Sequence, residues 1–197
     1  MRAKYARENY RMPTTCVIFD IDGTLVDSGG FEDVLYTAAV RDVFGNVRLR
    51  ADWGDNEHVT DAGIMLEICR ENGLEIEDGA QKLRARFGEL MGTYIRAMGP
   101  CAATLGALTL WNKLRDNTDV QLGIATGGWG HTARMKLESA GFVFTEIPLV
   151  SSDDDHIRMG IMNRCRECSR QRSRPLTLAM VSGTKSRLNG SGGASSA

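Results

Sequence analysis

The chain has 197 residues, of which 42% are hydrophobic, and a formal net charge of −1. This size predicts one domain with a moderate core, with room for a small insert. The near-neutral charge gives no sign of a nucleic-acid-binding or membrane-surface protein. No apolar run reaches the roughly 18 residues of a membrane span, so no membrane partner is expected.

The N-terminal residues and the cysteines favour a cytoplasmic location. Residues 1–13 are predicted to be an extension, and residues 1–12 are basic and polar, without the apolar segment of a secretory signal. The five cysteines are odd in number and have no paired spacing across the core, and Cys165-Arg-Glu-Cys168 is interpreted as a CxxC by chance. This predicts reduced thiols rather than a disulfide framework.

The first predicted element is a buried strand that ends in carboxylates. The run Thr15–Phe19 leads directly into Asp20-Ile-Asp22-Gly23-Thr-Leu-Val-Asp-Ser. Side chains two apart on a strand share a face, so Asp20 and Asp22 can point into one site, and Gly23 allows the backbone to turn. Two acids this close repel each other unless a cation lies between them, which predicts Mg²⁺. A calcium loop is not matched, because its glycine is sixth and Gly23 is fourth.

Helical periodicity fills residues 31–97. Phe31, Leu35 and Ala38 have helical spacing, and similar patterns follow around Ile64 and Leu83. These patterns predict an all-helical module of about four or five helices. Core packing is the favoured interpretation of Trp53, with substrate contact as the alternative.

A second apolar strand also ends in residues that suit an anion. After a helix predicted at 102–114, the strand Val120–Ala125 leads into Thr126-Gly127-Gly128. A hydroxyl and free backbone N–H groups before a helix form a sensible phosphate cradle. A helix at 129–140 and a strand within 142–150 follow. Lys136 is interpreted mainly as a solvated surface charge on this helix.

The acids at 153–155 precede a helix predicted to open at 156. Capping and interaction with the helix dipole explain these three carboxylates, and a metal role is the minority interpretation. The three histidines, His58, His131 and His156, have no spacing that suggests a metal site and are interpreted as surface or packing residues.

The motif at residues 20–28 resembles the first motif of the haloacid dehalogenase-like hydrolase superfamily, and residues 126–128 resemble its second. The resemblance implies a Rossmann-like parallel sheet with an all-helical cap inserted after the first strand, as in the phosphoglycolate phosphatase-like branch. It places the core at 14–29 and 98–162 and the cap at 30–97. It also implies a Mg²⁺-dependent phosphomonoester hydrolase that acts on a small phosphorylated metabolite.

The resemblance further implies a role for each matching residue. Asp20 is the expected nucleophile, which forms an aspartyl-phosphate, and Asp22 is the expected general acid and base. Asp20 and the backbone carbonyl of Asp22 are the expected Mg²⁺ ligands, together with a further acid. Arg158 falls at the cation of the third motif, with Lys136 as its substitute. The expected phosphate-binding residues are Gly23, Thr24, Thr126, Gly127 and Lys136, and Thr126 and Arg158 are also counted as catalytic.

The fourth motif of the family, which carries the further acid, has no match after Arg158. The last strand candidate, residues 176–181, ends in Ser182-Gly183-Thr184 without a carboxylate. Residues 163–197 hold seven Lys or Arg and one Glu, and we expect a basic, low-complexity and disordered tail. With permitted codons, the DNA of 176–195 read one nucleotide earlier can encode an acid motif of the expected kind, which suggests a frameshift. Such a frameshift would remove the C-terminal part of the core, including at least one strand beside the Asp20 strand. The Asp20 strand would then have an exposed edge.

Three hypotheses follow for the function. The first is a Mg²⁺-dependent phosphatase, and the second is a truncated, catalytically impaired protein with the same fold. The third is nucleic-acid binding through the basic tail. It is the weakest, because no aromatic residues are interleaved with the basic ones.

Overall fold

A computed structural model describes residues 15–170 and 177–182 of the chain. The strands are β1 (Thr15–Phe19), β2 (Val26–Asp27), β3 (Ala102–Ala103), β4 (Val120–Ala125), β5 (Leu149–Val150) and β6 (Thr177–Val181). The helices are α1 (Phe31–Phe44), α2 (Asp61–Asn72), α3 (Ile76–Met98), α4 (Ala107–Arg115), α5 (Gly130–Ser139) and α6 (Arg158–Arg170), and a 3-10 turn covers Trp53–Asp55. None of the described helices is long and apolar enough to cross a membrane.

Four strands form a parallel sheet in the order β5-β4-β1-β6. β1 lies inside this sheet, and Phe19 at its end pairs with Ile124 of β4 and Val181 of β6. Because the strands are parallel, their carboxyl ends meet at one edge, and the residues that follow β1, β4 and β6 are brought together there. β2 and β3 form a separate antiparallel ribbon.

Alternating side chains of β1 enter two apolar layers. Val17 and Phe19 face the layer that contains Trp111 of α4 and Leu137 of α5. The intervening side chains of β1 belong to a layer with Cys165 of α6. Helices therefore cover both faces of the sheet, as a largely apolar parallel strand requires. This arrangement confirms the predicted α/β class with a parallel sheet.

The segment between β2 and β3 is helical, as predicted, but it contains three α-helices and the 3-10 turn rather than four or five helices. The difference lies in α3, which continues through Gly79, Gly88 and Gly92 without a break. The three helices pack around a core of their own, which Trp129 of the sheet domain completes. The division into a cap at 30–97 and a core remains a prediction.

Two predicted element boundaries are wrong. The helix expected at 102–114 begins at Ala107, because Ala103 pairs with Val26 and Gly106 takes a left-handed φ of 80° before the helix. The strand expected within 142–150 shrinks to β5. The carbonyl of Val143 accepts a hydrogen bond from the Trp111 indole at 3.1 Å rather than from a neighbouring strand.

The predicted start of a disordered tail at residue 163 is also wrong. α6 continues to Arg170 because Ile161 and Cys165 are buried against the sheet. β6 pairs with β1 over its whole length, so β1 has a neighbour on each side instead of the exposed edge that was expected. The N-terminal extension at 1–13 and the rest of the segment interpreted as frameshifted, apart from 177–182, lie outside the described residues. All five cysteines are free thiols, as predicted.

Candidate active site

A cavity of about 360 Å³ opens at the carboxyl edge of the sheet, beneath the helical segment. Its lining combines residues that follow the strands with residues of the helical segment. The first group is Asp20, Asp22, Gly127, Gly128, Arg158 and Ser182, and the second is Glu32, Asp33, Tyr36, Trp53, Val59, Thr60, Asp61, Ile64 and Phe87. The cavity therefore has a polar floor and a partly aromatic roof.

Asp20 lies on the cavity floor, directly after β1. One carboxylate oxygen accepts a hydrogen bond from the Ile21 N–H at 2.8 Å, and the other forms an ion pair with Arg158 at the start of α6. Burial raises the pKa of Asp20, and the positive charge of Arg158 opposes this shift. The arrangement brings the predicted nucleophile and the predicted third-motif cation into contact.

Asp22 has a different ion-pair partner from Asp20, because its carboxylate binds Lys136. The Lys136 ammonium lies 2.7 and 2.9 Å from the two Asp22 carboxylate oxygens, and it also contacts the Glu32 carboxylate. Lys136 is fully buried, so its interpretation as a solvated surface charge is wrong. The turn of α5 that carries it faces the β1 loop rather than solvent, and its ammonium points at two carboxylates instead of the cavity.

These three charges shift one another's protonation. Burial lowers the pKa of Lys136, but the neighbouring charges of Asp22 and Glu32 outweigh burial and the pKa is raised overall. Burial and the charge of Asp22 raise the pKa of Glu32 to about 8. Sequence reasoning missed Glu32. Its only sequence signal is that it is one of the acids in the first turn of the helix that follows the motif.

The loop after β4 reaches the cavity, and its role as a phosphate cradle stays a prediction. Thr126 is buried, and its hydroxyl accepts a hydrogen bond from the Gly128 N–H at 3.1 Å, which shapes the turn. Gly127 and Gly128 reach the cavity, whereas Thr126 lies behind them. Thr126 therefore supports the loop, and the two glycines bring backbone to the cavity wall.

Gly23 and Thr24 are not brought to the cavity wall. The Gly23 N–H donates to the Val26 carbonyl at 2.9 Å, and the Thr24 N–H donates to the Ile21 carbonyl at 3.1 Å. Both backbone donors are used to close the turn after β1. The turn uses these N–H groups, and phosphate binding by Gly23 and Thr24 stays a prediction.

The start of α2 is hydrogen-bonded to the loop after β4. The Asp61 N–H donates to the Gly127 carbonyl at 2.8 Å, and the Asp61 carboxylate accepts from the Trp129 N–H at 2.9 Å. The Thr60 hydroxyl donates to the His156 carbonyl at 2.7 Å. These bonds hold the helical segment down on the sheet edge and close the cavity on that side.

Trp53 packs in the helical core, as favoured, and substrate contact stays a prediction. Its half-buried ring packs edge-on against Tyr36, with ring centroids 5.6 Å apart, and it also lines the cavity. It therefore supports the helical core and presents apolar surface to any molecule bound there.

The donor atoms on the floor suit Mg²⁺ better than a metal with many protein ligands. The structure brings together no cluster of three or more His, Cys, Asp or Glu that could hold a metal within residues 15–170 and 177–182. Mg²⁺ commonly binds one or two carboxylates and keeps water and phosphate oxygens as its other ligands. The Asp20 carboxylate and the Ser182 hydroxyl are oxygen donors of the required kind, so the residues fit this cation.

No family model and no curated protein matches the sequence. Solved structures match the fold. One is a hydrolase from Pseudomonas syringae with 22% identity and a TM-score of 0.58, which covers 78% of this chain and 71% of that chain. Another is CbbY from Rhodobacter sphaeroides in complex with phosphate, with 16% identity and a TM-score of 0.60 over 85% and 76% of the two chains.

A third match is a haloacid dehalogenase-like family hydrolase from Streptococcus pneumoniae, with 16% identity and a TM-score of 0.51 over 85% of this chain and 74% of that chain. The chain has the fold of the haloacid dehalogenase-like hydrolases. This confirms the fold that the motif at residues 20–28 implied. In this fold the cavity above Asp20 is the candidate active site.

Proposed function

We propose that the protein is a Mg²⁺-dependent phosphomonoester hydrolase that acts on a small phosphorylated metabolite through an aspartyl-phosphate. The observation that carries the proposal is the Asp20 carboxylate, which lies at the end of β1 on a cavity floor shared with Arg158, Gly127 and Gly128. A nucleophile, a cation and exposed backbone meet there around a space that suits a phosphoryl group. The phosphate in the CbbY complex supports this ligand class.

The first step forms a bond between an Asp20 oxygen and phosphorus while the ester P–O bond breaks. The phosphate dianion of the bound substrate favours the protonated form of Asp22, which gives this proton to the leaving oxygen, so the alcohol departs neutral. Arg158 compensates the negative charge on the transferring group. Asp20 and the backbone carbonyl of Asp22 would hold Mg²⁺, whose bound charge stabilises the phosphoryl oxygens.

The second step returns the enzyme to its starting state. Water attacks the phosphorus of the aspartyl-phosphate, and Asp22 takes the proton that the water releases. The bond between phosphorus and the Asp20 oxygen breaks, and inorganic phosphate leaves with the carboxylate regenerated. Splitting the hydrolysis into two displacements lowers each barrier.

Turnover of p-nitrophenyl phosphate by the full chain, with Mg²⁺ and with EDTA, tests the proposal. We expect hydrolysis that requires Mg²⁺, that falls to background in Asp20→Asn, and that falls about 10²–10⁴-fold in Asp22→Asn. Asp33→Asn, on the same cavity wall but away from the end of β1, is the matched control and should keep most of the rate. Turnover that survives in Asp20→Asn would contradict the mechanism. Absence of turnover in the wild-type chain would favour the impaired-protein hypothesis.

A further inference from the structure

We propose that Lys136 and Glu32 are positioning residues that fix the carboxyl group of Asp22 for proton transfer to the leaving group. The inference rests on the proposed function and adds to it two residues that do not touch the phosphoryl group. It is carried by the contacts of one buried ammonium with two carboxylates.

Each N–H donor of the Lys136 ammonium has a carboxylate acceptor. A lysine ammonium has three N–H donors, and three carboxylate oxygens receive them: both oxygens of Asp22, at 2.7 and 2.9 Å, and one oxygen of Glu32. Because Lys136 is fully buried, water does not compete for these donors. An ammonium that binds both oxygens of Asp22 fixes the plane of its carboxyl group and not only its location.

The three residues come from three separate parts of the fold. Asp22 lies in the turn after β1, Glu32 in the first turn of α1 and Lys136 in the last turn of α5. The side chains of Asp22 and Glu32 are only 15% and 14% exposed, and both line the cavity. Asp22 is therefore held from the side away from the cavity by α5, while Glu32 ties the same cluster to the helical segment.

Stability alone gives little reason for this cluster. Removing an ammonium and two carboxylates from water costs free energy that their mutual attraction often does not recover, and an apolar replacement is frequently as stable. The cluster does specify one orientation for Asp22, which a general acid needs because proton transfer requires hydrogen-bonding distance to the leaving oxygen.

Two substrates of almost the same shape separate this role from a structural one. The phenolate released from phenyl phosphate is much more basic than p-nitrophenolate, so its departure depends far more on the proton from Asp22. We expect Lys136→Met and Glu32→Ala to lower kcat/KM on phenyl phosphate at least about tenfold more than kcat/KM on p-nitrophenyl phosphate. The ratio kcat/KM reports the step in which the leaving group departs, whereas kcat also includes the attack of water that both substrates share. Lys136→Arg and Glu32→Gln should recover part of this loss, because they keep a donor or an acceptor.

Arg86→Met is the control, because it removes a cation from exposed ion pairs with two carboxylates, Asp42 and Glu89, outside the cavity. It should leave the ratio of the two rates unchanged. If thermal unfolding shows that Lys136→Met does not fold, the comparison of Glu32→Ala with Glu32→Gln tests the inference. Equal loss on both substrates would overturn the inference and leave the proposed function intact. A wild-type chain that hydrolyses neither substrate would overturn the proposed function first and the inference with it.

Discussion

At the residue scale, Ser182 is the unusual group on the cavity floor. The register that pairs Phe19 with Val181 places Ser182 next to Asp20 on the adjacent parallel strand, and the Asp20 N–H donates to the Val181 carbonyl at 3.1 Å. Neighbouring strands lie about 4.8 Å apart, so a longer acidic side chain at 182 would reach the same space as the Asp20 carboxylate. The described part of the chain offers a hydroxyl where a second carboxylate would bind Mg²⁺ more strongly.

We predict that Ser182→Asp lowers the Mg²⁺ concentration for half-maximal activity about tenfold, because affinity for a hard cation rises with the number of charged oxygen ligands. The variant should also show a larger rise in Tm on addition of Mg²⁺ than the wild-type chain, since a ligand that binds the folded state stabilises it. Ser182→Asn is the control, with similar size and no charge. Equal Mg²⁺ responses in all three proteins would show that residue 182 does not approach the metal.

Glu32 gives a prediction for the dependence of stability on pH. Its folded-state pKa is about 8, against an ordinary value of 4.5, so the folded protein holds this proton more tightly than the unfolded chain does. The resulting stabilisation is fully present below the unfolded pKa and is lost as the pH rises through the folded pKa. We expect the wild-type free energy of unfolding to fall between about pH 5 and pH 8 relative to Glu32→Gln. Urea unfolding of both proteins in EDTA measures this difference, and parallel pH curves would contradict it.

The sequence predicted some of these residues and not others for a physical reason. Asp20 and Asp22 could be found because their spacing on a strand is a local property. The partners of Asp22 are not local. Lys136 reaches it only because α5 packs on the sheet, and Glu32 only because α1 starts beside the same turn. A lysine with ordinary helical neighbours therefore looks solvated until the tertiary contacts are known.

At the element scale, α6 and β6 show what composition can hide. The segment from 163 onward is basic, and this predicted a disordered tail. The buried side of α6 is nevertheless mostly apolar, since Ile161 and Cys165 lie against the sheet together with Ser169, while Arg164 and Glu167 are exposed. Net charge describes the exposed face of a helix, whereas its buried face decides whether it packs.

We predict that the packing of α6 on the sheet can be tested at Gly123, in the middle of β4. A Cβ atom at this position would meet the Cys165 sulfur at 2.8 Å, closer than real contacts allow. Gly123→Ala should therefore cost about 1–3 kcal/mol of stability through overpacking. In the Cys165→Ala background the same substitution should cost clearly less, because the obstructing sulfur is gone. Denaturant unfolding of the four proteins gives the coupling energy, and strict additivity would show that α6 does not lie where the structure places it.

At the scale of the whole molecule, the helical segment forms the roof of the site, and this could be expected from its position after the first strand. The hydrogen bonds that attach this segment to the sheet edge could not be predicted. The hydrogen bonds of Thr60 and Asp61 to the sheet edge involve backbone groups of Gly127, Trp129 and His156, which no side-chain pattern reveals. The helical segment is therefore hydrogen-bonded directly to the loop after β4, and we expect substrate choice to depend on its residues.

We predict that Trp53→Ala changes which substrates are used more than it changes the chemistry. The kcat/KM for a bulky ester such as 1-naphthyl phosphate should change about tenfold more than that for p-nitrophenyl phosphate, because the indole ring lines the cavity. Leu74→Ala, in the same helical core but away from the cavity wall, is the control. Proportional losses on both substrates would assign Trp53 to packing alone.

The position of β1 inside the parallel sheet also determines when the fold can form. Thr15 pairs with Val120 and with Thr177, so the strand made first finds its neighbours only after most of the chain has been synthesised. The helices between Phe31 and Met98 pack mostly on one another and can begin to assemble earlier, before Trp129 completes their core. Pairings so distant in sequence form slowly. During synthesis the apolar β1 strand therefore has no pairing partners while the helical segment is already forming. In this interval the nascent chain is most prone to aggregation.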